Sequence, residues 1–396
     1  MNVLTVSRQY GAGGGETARR LAEALGWELL DRELLHRAAA LEEVPDSELE
    51  RLDEKALSMT DRLRLHPPHQ RYMHGLTEAA RQAAARGNVV LVGRGTRQLL
   101  GDMPNVCHLR LVAPLDWRVQ RMALLEGRSM EQARKRCLEV DRGRDRFTRY
   151  FFGAEALQSE QYDLTANTDR VPLDDVVALV SQWVRPEEER EKPNETRSRV
   201  LTLSRQFGAG DIGFALTLGL RLSLRVIDRE LLEYEATRLG VGEAELERVD
   251  ERPPSMWQRL RPDSLHHRYV ETMGHLMHEM AERGKVLLVG RGGNCFLRQR
   301  AEAFHVRLVS EMEVRVRRVM EHRWLREEPA RRLIAENDAR RQRFLASCFG
   351  VDWSDPLEYH LTVNSGRLAA EAVDLVAAAA TRHWRRTEVA PVVPEV

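Results

Sequence analysis

Residues 197 positions apart in this chain match each other, from near its start to near its end. Val3-Leu4-Thr5-Val6-Ser7-Arg8-Gln9-Tyr10-Gly11-Ala12-Gly13 returns as Val200-Leu201-Thr202-Leu203-Ser204-Arg205-Gln206-Phe207-Gly208-Ala209-Gly210, an offset of 200 − 3 = 197. Asp31-Arg32-Glu33-Leu34-Leu35 returns as Asp228-Arg229-Glu230-Leu231-Leu232, and Val92-Gly93-Arg94-Gly95 as Val289-Gly290-Arg291-Gly292. Asp141 and Asn167 keep the offset with Asp338 and Asn364. A solenoid would repeat every few tens of residues. One constant, long offset means instead that a whole domain has been written twice. The 396 residues suffice for two domains that each bury a core.

The expected organisation is a first domain over residues 1–185, a charged linker over 186–199 carrying Pro186 and Pro193, a second domain over 200–386, and a flexible tail over 387–396. Within the first copy, Val3–Ser7, Trp27–Leu30, Val89–Val92, Val106–Val112 and Leu164–Ala166 read as short buried strands. Ala18–Leu25, Glu42–Arg64, Tyr72–Arg86, Asp116–Met122, Ser129–Arg149 and Leu173–Trp183 read as helices. Strands alternating with helices imply an α/β fold in each copy, a parallel sheet flanked by helices on both faces. Such sheets bind ligands at the C-terminal ends of their strands. Gly11–Gly15, Asp31 and Arg94 all follow strands, so they should line one crevice.

Lys+Arg and Asp+Glu both number 61, which gives no case for nucleic acid or a membrane surface as partner. Only Lys55, Lys135, Lys192 and Lys285 are lysines. A phosphate clamp in this chain must therefore be arginine or backbone N–H. The four cysteines, Cys107, Cys137, Cys295 and Cys348, are scattered, which argues against a disulfide framework or zinc site and suits a reducing cytoplasm. The N-terminus enters a strand with no basic-then-apolar leader, and no apolar run is long enough to span a bilayer.

Gly11-Ala12-Gly13-Gly14-Gly15 between a strand and a helix suits a phosphate, because glycines let N–H groups turn inward and the helix N-terminus adds positive potential. The bland alternative is a tight strand-to-helix turn. The strict P-loop needs Lys after its second glycine. Here that place holds Gly14, and in the second copy Asp211, a carboxylate that would repel a phosphate. A rival is the dinucleotide fingerprint, matched by Gly208-Ala209-Gly210-Asp211-Ile212-Gly213 with Asp228 twenty positions on.

Taken together, Ser7 to Gly14, Asp31-Arg32-Glu33-Leu34, Gly93-Arg94-Gly95 and Asp141 through Arg144 to Phe147 resemble the cytidylate-kinase-like proteins, relatives of bacterial cytidylate kinase within the P-loop nucleoside monophosphate kinases. Leu49 to Glu54 and Leu246 to Glu251 also look like that family's segment before its third strand. The resemblance implies that Gly11, Ala12, Gly13, Gly14, Gly15, Glu16 and Thr17 hold the phosphates of ATP with Mg2+. It implies that Asp31 and Arg94 face a monophosphate acceptor such as CMP, that Arg144 and Arg146 bridge the transferring phosphoryl from a lid, and that Asn167 and Thr168 lie near the adenine. Arginine forks suit such transfer, which needs positioning and positive charge more than covalent help.

The chain departs from the family where a basic residue usually stands at the place of Gly15 and a hydroxyl at that of Glu16. Arg8 or Arg19 is the expected substitute cation. The second copy departs further, with Asp211, Ile212 and Phe214 in its loop, Ala339 for Arg142 and Gln342 for Asp145, while keeping Arg291, Arg341 and Arg343. Positions shared by both copies (Asp31/Asp228, Arg94/Arg291, Arg144/Arg341) cluster on the acceptor and lid side. The expectation is a nucleotide kinase whose first half acts and whose second half is a degenerate intramolecular partner. The alternatives are a non-catalytic tandem nucleotide sensor or scaffold and a Rossmann-type dinucleotide binder.

Overall fold

A computed structural model describes residues 1–31, 68–93, 95–101, 103, 105–185, 199–228, 265–290 and 292–389, which divide into two units, Met1–Glu191 and Lys192–Val396. Arg94, Arg291, the helix expected over Glu42–Arg64, the Leu49 and Leu246 segments and nearly all of the linker lie outside the described residues.

The first unit runs β1 (Val3–Arg8), α1 (Gly14–Leu25), β2 (Glu28–Leu30), α2 (Pro68–Arg86), β3 (Val89–Val92), α3 (Thr96–Leu100), β4 (Val106–Val112), α4 (Leu115–Glu126), α5 (Met130–Phe152), β5 (Leu164–Asn167) and α6 (Leu173–Val184). Its strands pair in parallel in the order β2-β3-β1-β4-β5, with Val3 opposite both Val89 and Val106. Every residue of β3 is buried, as a strand covered on both faces requires. Val89 and Leu91 join Val3, Leu76, Ala80, Leu99 and Phe147 in one apolar cluster, so α2, α3 and the end of α5 cover that face. Val90 and Val92 alternate to the other face, where α1 and α6 pack against each other.

The order decides against the dinucleotide reading. In that fold the first two strands are neighbours, in the order 3-2-1-4-5-6. Here β3 separates β1 from β2. The glycine fingerprint of the second copy is a local match without the topology that gives it meaning.

Helix α1 buries Gly14, Thr17, Ala18, Leu21 and Ala22, the i, i+3, i+4, i+7, i+8 set of one helical face. Burying Leu21 completely contributes about 1.5–3 kcal/mol. The helix stops at Gly26, whose left-handed backbone lets its N–H reach the carbonyls of Ala22 and Glu23. Helix α5 starts at a capping box, Ser129 accepting from the Gln132 N–H while the Gln132 side chain accepts from the Ser129 N–H. The short α3 escapes a reading from periodicity, because five residues hold little more than one turn.

The second unit repeats the plan with β6 (Val200–Arg205), α7 (Ile212–Leu222), β7 (Arg225–Ile227), α8 (Leu265–Arg283), β8 (Val286–Val289), α9 (Gly293–Phe296), β9 (Ala303–Val309), α10 (Met312–Arg323), α11 (Glu327–Phe349), β10 (Leu361–Asn364), α12 (Ser365–Leu368) and α13 (Glu371–Val389). Its parallel order is β7-β8-β6-β9-β10. Helix α13 continues to Val389, past residue 387 where the sequence suggests a tail. Among the described residues, no helix is long and apolar enough to cross a membrane.

Candidate functional site

The chain leaves β1 towards β2 on one side and returns through β4 on the other, so the glycine loop lies over the C-terminal ends of β1 and β4. The Gln9 N–H donates to Leu111 O (3.0 Å), and the Gln9 side-chain oxygen accepts from the Ala113 N–H (3.0 Å). Gly11 and Gly13 have φ of +82° and +83°, a region that side chains disfavour. A Cβ on Gly13 would sit 2.8 Å from Leu173, and one on Gly14 would sit 2.5 Å from Arg8 Cγ. Gly13 caps α1 with no side-chain hydrogen bond, and the first helical bond is Thr17 N–H to Gly13 O (2.9 Å). The N–H groups of Gly14, Gly15 and Glu16 therefore precede the helical ladder. Together with the helix dipole they form a seat for an anion.

Arg118 on α4 supports this loop from below. It is 5% exposed. Its Nε donates to Ala113 O (2.9 Å) and its Nη1 to Tyr10 O (2.9 Å) and Asp141 Oδ2 (2.5 Å). The other Asp141 oxygen accepts from the Tyr10 N–H (2.7 Å). The Thr168 hydroxyl faces Ala12 O (3.1 Å) and Val112 O (3.3 Å), fixing the end of β5 to the loop. Arg144 on α5 donates to Arg8 O (3.0 Å) and lies over the Tyr10 ring, 5.8 Å from its centroid. Burial, reinforced by the hydrogen bond to Glu126 (2.5 Å), pushes the Tyr10 phenol above its ordinary pKa.

Several expected residues fall elsewhere. Thr17 shares the buried face of α1 and is 0% exposed, its hydroxyl without a partner, so it does not reach the open side of the loop. Arg146 lies two residues beyond Arg144, about 200° round the helix, and is exposed. Asp31, at the end of β2, is half-exposed and pairs with Arg8 (3.8 Å). Arg19 pairs with Glu23 (2.8 Å) on the exposed side of α1. Arg8 packs against Gly14, and Arg121 also lies at the loop, its Nη2 pairing with Glu16 Oε2 (2.5 Å) and its Nη1 facing Gly11 O (3.5 Å). Arg20 takes the other Glu16 oxygen (3.4 Å). Gly15 faces open space, with nothing within 4 Å of a Cβ placed there.

Arg118 and Arg121 were not singled out from sequence, although both keep the 197 offset as Arg315 and Arg318. The second unit repeats their scaffold. Arg315 holds Asp338 (2.5 Å), Asp338 accepts from the Phe207 N–H (2.8 Å), and Arg341 donates to Arg205 O. The loop itself differs. Asp211 caps α7, accepting from the Phe214 N–H (2.9 Å), and its other oxygen meets His322 Nε2 (3.1 Å). Partial burial works against ionisation, but those two partners hold the Asp211 carboxyl below the usual carboxylate range. The anion seat of the second unit is filled by its own side chain.

The sequence profile of the cytidylate kinase-like family matches residues 3–170 and, a second time, 200–367. The chain belongs to the cytidylate kinase-like family. It is similar to the cytidylate kinase of Methanopyrus kandleri, 26% identical over 199 residues that span 48% of this chain and 97% of that protein. The cytidylate kinase of Pyrobaculum aerophilum is 27% identical over 179 residues, 45% of this chain and 90% of its own length. Among solved structures, a shikimate kinase from Acinetobacter baumannii covers 46% of this chain and 93% of its own, with 17% identity and a TM-score of 0.29. Family membership places the chain among nucleotide kinases, with two kinase-like α/β domains in tandem.

Proposed function

We propose that the first unit transfers the γ-phosphoryl of ATP to a nucleoside monophosphate such as CMP, with the second unit a non-transferring partner. One contrast carries the reading: the first unit leaves its helix N-terminus uncapped by any side chain, whereas Asp211 fills that place in the second. ATP supplies the phosphoryl group. The N–H groups of Gly14, Gly15 and Glu16 hold its phosphates, with the positive-φ turns at Gly11 and Gly13 setting their direction. Arg144, fixed by Arg8 O and the Tyr10 ring, places its guanidinium beside the loop, where positive charge stabilises equatorial oxygens in transfer. Asp31 and Arg94 serve the acceptor, Asp31 towards the base or sugar and Arg94 towards the phosphate.

Magnesium does not find its usual ligand here. Thr17 is buried, and both Glu16 oxygens are ion-paired to Arg121 and Arg20. Arg121 and Arg20 supply charge near the phosphates.

The test is CDP formation from CMP and ATP, with and without magnesium. The wild-type chain is expected to turn over, and Arg144→Ala to slow it by about 10²–10³-fold if the guanidinium acts mainly in the transition state. No CDP under either condition, with saturable nucleotide binding, would replace this reading by the sensor. That second reading is favoured by the absence of a basic side chain at Gly15.

A further inference from the structure

The ring at position 10 is common to both units, but its hydroxyl is not. Tyr10 returns as Phe207. Arg341 lies 5.7 Å from the Phe207 centroid, much as Arg144 lies 5.8 Å from that of Tyr10. Both rings keep an apolar seat. Tyr10 packs against the cluster that holds Val119 and Ala133, and Phe207 against the one that holds their counterparts, Val316 and Ala330. What the fold needs from this ring is therefore met without the oxygen.

Three polar groups stand together in the first unit only. The Tyr10 hydroxyl donates to Glu126 Oε1 (2.5 Å), and Glu126 is the last residue of α4. Arg136, on α5, lies 6.0 Å from the Tyr10 centroid. At the offset of 197 these three become Phe207, Arg323 and Leu333. Leu333 packs against the same apolar cluster as Phe207. A polar link in one unit is thus an apolar contact in the other.

The link has a direction. The Tyr10 backbone is already held, its N–H by Asp141 and its carbonyl by Arg118. From that fixed point the phenol reaches out to the end of α4. A hydroxyl given to a carboxylate is a charge-assisted bond, stronger than a neutral one. Helix α5 follows α4 after a short turn, packs against it and carries Arg144.

We propose that the Tyr10 phenol is a positioning group: through Glu126 it fixes the α4–α5 hairpin, and with it Arg144, over the glycine loop. This rests on the transfer activity proposed for the first unit. The second unit, which keeps the ring alone, has the scaffold without the link.

Tyr10→Phe installs the second unit's residue and keeps the ring. It should lower kcat for CDP formation about tenfold, the loss expected of one charge-assisted bond, with KM for CMP unchanged. Glu126→Gln retains an acceptor oxygen and should stay within about threefold of wild type, whereas Glu126→Ala should match Tyr10→Phe. The double variant should be no slower than either single one, and in an Arg144→Ala background Tyr10→Phe should change nothing further, which a merely structural role would not produce. Hydrogen exchange reads the same link without turnover. Tyr10→Phe should speed exchange in the α4–α5 hairpin about tenfold and leave β1 and β4 as in wild type. Unchanged exchange in the hairpin, or a kcat loss that persists in full beside Arg144→Ala, overturns the assignment. Faster hairpin exchange in a chain that forms no CDP removes the transfer reading and leaves the link standing. CDP formation with unchanged exchange does the reverse.

Discussion

Acidification from pH 7 to 5 is expected to destabilise the second unit through one side chain, His383. Its imidazole lies on α13, 6% exposed, with Nε2 on Ala301 O (2.8 Å) and the ring 5.2 Å from Phe304 and 4.9 Å from His360. Burial is the main cause that holds its pKa down at about 4; the Ala301 carbonyl opposes it, Arg386 reinforces it and Glu302 opposes it. Above pH 6.5 the imidazole is neutral in both folded and unfolded chains and contributes nothing. Between 6.5 and about 4 the unfolded chain takes a proton that the folded one refuses, so stability falls; below about 4 both are protonated and the loss levels off. At about 1.4 kcal/mol per pH unit the gap caps the loss at about 3 kcal/mol, with about 2 kcal/mol expressed by pH 5. For a domain of this size that lowers Tm by about 4–8 °C. Position 186, the counterpart of 383, is Pro186, so the first unit has no such group there. Scanning calorimetry of wild type and His383→Gln between pH 7.5 and 5 isolates the effect, since glutamine can still donate to Ala301 O. Equal pH slopes in the two proteins would refute the reasoning.

Three further outcomes follow from the loops. Gly15→Lys enters open space, so it should fold normally and tighten ATP binding about 10–100-fold by calorimetric titration. Asp211→Gly should cost the second unit only a few tenths of a kcal/mol as a cap, yet add a phosphate-binding event detectable by ³¹P NMR. Arg118→Met strands Asp141 and two loop carbonyls, and should lower stability by about 3–5 kcal/mol in urea unfolding and abolish turnover.

The strands were legible because buried parallel strands are short apolar runs, and Val89–Val92 and Val106–Val112 have the same bounds in sequence and structure. The glycine loop was legible because its backbone requires residues without side chains at Gly11 and Gly13. What was lost is phase and distance. Thr17 neighbours Glu16 in sequence but sits about 100° round the helix, towards the sheet. Arg146 is likewise turned about 200° round its helix from Arg144 and is exposed. Arg118 could not be singled out from sequence, because its partners, Tyr10, Ala113 and Asp141, come together only once α4 and α5 pack beneath the loop. Asp211 was read as a charge that repels phosphate; its capping bond to Phe214 makes it the occupant of the site.

The duplication separates two kinds of constraint that a single domain confounds. Arg118–Asp141 and Arg315–Asp338 share a length of 2.5 Å, Thr5–His108 and Thr202–His305 one of 2.8 Å, and Gln9 and Gln206 each accept a backbone N–H at 3.0 Å. All satisfy buried polar groups, and breaking one partner of such a pair costs about 3–5 kcal/mol when it is charged. A unit that had lost its chemistry would still have to keep them in order to fold. Retention of Asp141 in both copies is thus evidence about the loop's support and not about shared catalysis. At the glycine loop the copies part: Gly14 packs against Arg8 in the first unit, whereas Asp211 caps the helix in the second. Shared polar pairs of this kind answer to folding, so a difference at the loop carries more functional information than their retention does.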